Sequence, residues 1–112
     1  MTDPIRQWLT VPDVAERLDI PVTRVRQLLR DGCLLATRVD GVLQIPAAFI
    51  GDGVIVKGLQ GTITLLRDAG HDDEAALRWL FAADDSLPGT PVQALAENRG
   101  TEVKRRAQAS AF

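Results

Sequence analysis

A mainly α-helical chain carrying one small β-hairpin is what this sequence predicts, and three observations carry the prediction. Two short amphipathic stretches, "VPDVAERL" and "VTRVRQLLR", stand on either side of "DIP". The dipeptide Asp40-Gly41 sits between apolar residues in "TRVDGVLQIP". From Leu59 the apolar residues return to helical spacing and hold it, with breaks at "HDD" and "SLPGTP", toward the C-terminus.

The first helix is capped by Thr10, with Pro12 and Asp13 in its opening turn, where a missing N–H and a negative charge are both tolerated. Val11, Val14, Ala15 and Leu18 recur at the spacing of one buried face. Pro21 disfavours helical geometry at Ile20 and ends that run. A second helix is predicted from Val22 to about Asp31, with Val22, Val25, Leu28 and Leu29 inward and Gly32 as its C′ residue. Two helices joined by so brief a turn cross steeply, which is the helix-turn-helix arrangement.

Asp-Gly between alternating residues is the strongest short hairpin signal, and it predicts strands at Ala36–Val39 and Val42–Ile45, closed by Pro46. A hairpin placed directly after a helix-turn-helix forms a wing. "PAAFI" then folds back as a short helix, and residues 1–50 make the first lobe of a winged helix-turn-helix. Val54–Val56 reads as a short strand or an extended connector. Residues 51–112 form a helical lobe, expected to pack on the first as one unit. Its helices carry Leu59, Ile63 and Leu66 up to Gly70, then Ala76, Leu77, Leu80 and Phe81, then a short helix from Pro91 and a last one fraying at its end.

Composition narrows the function. The chain has 112 residues and a formal charge of −2, which argues against a sequence-independent coat on a polyanion. Residues 1–50 hold six basic residues, all Arg, against six acidic ones, so positive charge is concentrated there and not abundant. Cys33 is the single cysteine, excluding an internal disulfide, and its apolar neighbours predict a buried small side chain. No signal peptide or membrane-length apolar run is present, and a soluble cytoplasmic protein is expected. His71 stands alone before Asp72, Asp73 and Glu74, where those acids suit a helix start better than a metal or a base. The glycines of "GDGVIVKGLQG" fit no phosphate loop. No catalytic residue, metal site or cofactor is therefore predicted.

Binding residues are easier to name. On the second helix Thr23, Arg24, Gln27 and Arg30 point away from the predicted inward side, with Arg26 on a flank. Arg reaches guanine or phosphate, Gln reaches adenine and Thr reaches phosphate. Arg38 leads to the hairpin tip, within reach of a neighbouring backbone. On an isolated helix such arginines are a solvated face. As the second helix of a winged helix-turn-helix they are the element that enters the major groove of double-stranded DNA. So few cations favour a homodimer or a protein partner. Trp79 and Phe81 suit a core, yet two residues apart on a helix they cannot both face inward, and one is left as a candidate partner or dimer anchor. Lys104, Arg105 and Arg106 oppose the negative end of the last helix, with a second DNA-contacting strip as the other reading.

"LTVPDVAERLDIPVTRVRQLLRDGCLLATRVDGVLQIPAAFI" resembles the winged helix-turn-helix of MerR-like and excisionase-like DNA-binding domains, through Ala15, Leu18, Val25, Leu28 and Gly32. "VIVKGLQGTITLLRDAGHDDEAALRWLF" and "PVQALAENRGTEVKRRAQASAF" look like an actinobacterial, mainly mycobacterial, family of small regulatory DNA-binding proteins with a helical C-terminal region. That resemblance implies DNA binding through the first lobe, a cytoplasmic setting and, as a partner, a Ser/Thr protein kinase acting on a threonine in an N-terminal extension. This chain begins only a few residues before its first helix, so the extension is expected to be missing, and neither Thr2 nor Thr10 is assigned its role. The "RWL" stretch, Pro91–Leu95 and the following helix also look like the toxin-binding region of Xre-type antitoxins. That likeness implies an alternative function, a protein-interaction module with DNA binding secondary.

Overall fold

In the computed structural model, which describes residues 7–51, 53–82 and 89–109, helix α1 (Val11–Leu18) begins with reciprocal capping. Thr10 Oγ1 accepts from the Asp13 N–H at 3.3 Å, and the Asp13 carboxylate accepts from the Thr10 N–H at 3.2 Å. Two donors at the start of α1 are thereby satisfied. Replacing Thr10 with alanine is expected to cost about 1 kcal/mol of stability, read from the midpoint of urea unfolding.

Asp19, at φ 57°, turns the chain out of α1. Pro21 then precedes α2 (Val22–Arg30). This helix ends as its glycine predicts: the Gly32 N–H donates to Leu29 O at 3.3 Å and the Cys33 N–H to Leu28 O at 2.9 Å, with Gly32 at φ 76°. Those bonds form a Schellman cap, which satisfies the carbonyls of Leu28 and Leu29.

Three strands make an antiparallel sheet: β1 (Trp8–Thr10), β2 (Thr37–Val39) and β3 (Val42–Pro46), in the order β1-β3-β2. Asp40 at φ 53° and Gly41 at φ 80° form the turn between Val39 and Val42, as a tight two-residue hairpin requires. Strand β1 is an addition to the sequence reading. It pairs Leu9 with Ile45 and ties the start of α1 to the base of the wing.

"PAAFI" folds as a single 3₁₀ turn at Ala47–Phe49, and the chain continues into β4 (Ile50–Gly51), paired with β5 (Val54–Ile55). Four helices follow: α3 (Leu59–Asp68), α4 (Asp73–Phe81), α5 (Pro91–Ala96) and α6 (Gly100–Ala109). Residues 86–88 of the loop expected through residues 86–91, and the expected fraying at the C-terminal end over residues 110–112, lie outside the described residues.

One hydrophobic cluster runs through all of this. Val14, Val25, Leu34, Ile45 and Phe49 join Ile63, Leu66, Leu80, Leu95 and Val103, each without measurable exposure or nearly so. The Phe49 and Phe81 rings meet at 5.7 Å between centroids, tilted by 41°. This tilted contact carries the core from the winged segment into α4.

Candidate nucleic-acid interface

The inward direction of α2 is set by Val25, which is fully buried, and by the half-buried Leu28 and Leu29. At about 100° per residue, Thr23, Gln27 and Arg30 lie opposite that direction; Arg24, expected with them, is on a flank like Arg26, because the exposure of Val22 and the half-burial of Leu28 turn the inward direction toward it. All five are exposed. Val22 corrects the sequence reading. It is 36% exposed, not inward, because the first position of α2 borders an open depression shared with Ala15, Glu16, Asp19, Ile20 and Pro21. Val25, one turn on, takes the place in the core.

Arg24 and Gln27 are linked: Arg24 Nη1 donates to Gln27 Oε1 at 2.9 Å. The amide oxygen retains a second lone pair and the amide nitrogen both its hydrogens, so the glutamine is held in place and still has the donor and acceptor an adenine edge requires. Arg38 is exposed on β2, opposite Leu43, and its Nη1 donates to Gly41 O at 3.3 Å. The guanidinium is thus drawn toward the tip of the hairpin.

α2 contains three arginines and no acidic residue. Among the described residues none of Arg24, Arg26, Arg30 and Arg38 is engaged in a salt bridge. Four cations are left with their charge available to an anionic ligand.

Other candidate groups are placed differently. Asp72 caps α4, accepting from the Ala75 N–H at 2.8 Å, and Asp73 pairs with Arg67 at 2.8 Å, so both acids act at a helix start. Among the described residues no three His, Cys, Asp or Glu side chains converge as a metal site. Cys33, expected to be buried, is only half-buried beside the end of α2. Of the two aromatics on α4, Phe81 is taken into the core at 7% exposure and Trp79 is half-buried, so Trp79 is the one that reaches the surface. Lys104, Arg105 and Arg106 are exposed on α6, with the Lys104 stem lying across Gly61 of α3. No helix among the described residues is long and apolar enough to cross a membrane.

Arg67 is a residue the sequence reading did not single out. Its guanidinium lies against Gly32 at the end of α2, a contact between residues far apart in the chain that no local pattern signals.

Residues 1–50 match the family model for the DNA-binding protein Rv2175c, wHTH domain, and residues 56–111 match the model for the Rv2175c C-terminal domain of unknown function. The DNA-binding protein Rv2175c of Mycobacterium tuberculosis strain H37Rv is 42% identical over 123 aligned positions, which cover 98% of this chain and 84% of that protein. The NMR structure of Rv2175c superposes with a TM-score of 0.89 at 40% identity, covering all of this chain and 86% of that one. These matches run through both halves of the sequence, and the chain belongs to the Rv2175c family, a winged helix-turn-helix domain followed by the family's C-terminal domain.

Proposed function

We propose that this chain binds double-stranded DNA sequence-specifically and regulates transcription, with α2 in the major groove and the β2–β3 hairpin as a wing on the adjoining backbone. One observation carries the reading: the exposed side of the second helix bears three arginines, a threonine and a glutamine, with no acid among them and no salt bridge to the described residues. Helices in this position place their outward residues on base edges. Thr23, Gln27 and Arg30 are central enough to reach bases, Arg24 and Arg26 flank them toward phosphates or guanine, and Arg38 serves the wing. Residues 1–50 act as the DNA-binding lobe and residues 51–112 as the helical lobe supporting it. The DNA-binding name of the mycobacterial relative supports this assignment.

Partner binding through the C-terminal helices as the main function is less well supported, since Phe81 is taken into the core and leaves only the half-buried Trp79 as an aromatic anchor. A homodimer on DNA follows from the small number of cations per copy, and two chains per duplex in sedimentation would establish it.

Fluorescence anisotropy against a pool of random duplexes, titrated across salt, tests the reading. Affinity should fall steeply as salt rises, and selection from the pool should return a preferred sequence. Arg38→Ala should lower the slope of log K against log salt by about 1 and leave the preferred sequence unchanged. No binding at low salt would overturn the proposal.

A further inference from the structure

The C-terminal end of α2 is closed by contact from the other half of the chain. A Cβ on Gly32 would lie 2.7 Å from Arg67 Nη1, so the guanidinium occupies the space that any side chain at position 32 would need. Arg67 comes from the last turn of α3. Its other two nitrogens are already committed, with Nε at 3.3 Å and Nη2 at 2.8 Å from Asp73 Oδ1 in the first turn of α4. The fork therefore spans from α4 to the Schellman cap of α2, with Nη1 facing the helix end. A cation there opposes the negative end of the helix dipole, where the carbonyls of Leu28 and Leu29 converge on the cap. This is the one salt bridge between described residues, and its guanidinium lies against Gly32 at the C-terminal end of the candidate recognition helix.

We infer that Arg67, fixed by Asp73, is a positioning residue for DNA recognition. On this inference the C-terminal domain holds the angle of α2 without touching DNA. It rests on the proposed DNA-binding function and adds a task for residues 56–111. The pair itself is partly exposed, with side-chain exposures of 35% and 56%, so it adds little to global stability. Its effect lies in where the end of α2 sits.

Two variants separate this from simple electrostatics. Arg67→Met removes one positive charge, whereas Asp73→Ala removes a negative one. Long-range attraction to a polyanion would make the first weaken DNA binding and the second strengthen it. Positioning makes both weaken it.

The experiment measures duplex affinity by anisotropy for the full chain and both variants, at several salt concentrations, with thermal unfolding and amide exchange at Gly32 and Cys33. Both variants should bind about threefold to tenfold more weakly, with an unchanged salt slope, near-parental unfolding and faster exchange at the two cap amides. Tighter binding by Asp73→Ala, or unchanged affinity in both, would overturn the inference. A salt slope lowered by about 1 in Arg67→Met would also overturn it, because Arg67 would then be a phosphate contact itself. Absence of binding by the unmodified chain would instead be the failure of the DNA-binding proposal.

Discussion

Phe49→Ala is expected to destabilise the chain by about 3–5 kcal/mol, the range for removing a large aromatic side chain from a close-packed site. Phe49 has no exposed surface, and its ring contacts Phe81 at 5.7 Å. Ile50 follows it in β4, and Phe81 is buried together with Leu77 and Leu80 on α4. A loss of that size is a large part of the about 5–15 kcal/mol by which domains are usually stable. The position also tests whether the two halves unfold together. Trp8 lies in β1 and Trp79 in α4, and they are the two tryptophans of the chain. Urea unfolding followed by fluorescence in single-tryptophan versions, Trp8→Phe and Trp79→Phe, should give coincident transitions that both shift when Phe49 is removed. A shift seen only by Trp8 would mean that the aromatic contact does not couple the winged segment to α4.

Much of this architecture was legible because it is locally encoded. The Thr10 cap, Pro12, the Asp40-Gly41 turn and the Gly32 stop each act through neighbours within four or five residues, and each has its expected place. Strand β1 was not legible, because three residues carry no usable period and its partner lies more than thirty positions away in β3. Val22 misled the reading because apolar spacing assigns a face without showing where the covering element ends. "PAAFI" suggests a short helix by its composition but forms one 3₁₀ turn, since Ile50 is drawn into pairing with Ile55.

The candidate interface divides in the same way. Spacing alone brought Thr23, Gln27 and Arg30 to the outward side of α2, while Arg24, expected with them, is exposed on a flank. The Arg67 contact depends on the docking of α3 against the end of α2, and glycine at position 32 was explained by its backbone angle alone. Its second reason, the space needed by the guanidinium, is visible only in three dimensions.

The double replacement Arg24→Ala with Arg30→Ala should weaken duplex binding by about 2–6 kcal/mol, taking about 1–3 kcal/mol for each specific contact, so that even the lower end is about a thirtyfold loss. Both side chains are exposed and free of salt bridges to described residues, so stability should change by no more than about 0.5 kcal/mol. Alanine is also the better helix former, which favours keeping α2 intact. The variant therefore separates binding from folding more cleanly than a core change does. Arg24→Ala alone has a second consequence, because it releases Gln27 from the 2.9 Å bond that holds its amide. Discrimination at the base read by Gln27 should then relax along with overall affinity, whereas Gln27→Ala should relax discrimination and leave the salt slope unchanged. If the folded double variant still binds the pool with undiminished salt dependence, the phosphate contacts must come from another cationic surface. Lys104, Arg105 and Arg106 on α6 are the exposed group to replace next, and loss of binding there would move the interface from the winged segment to the C-terminal domain.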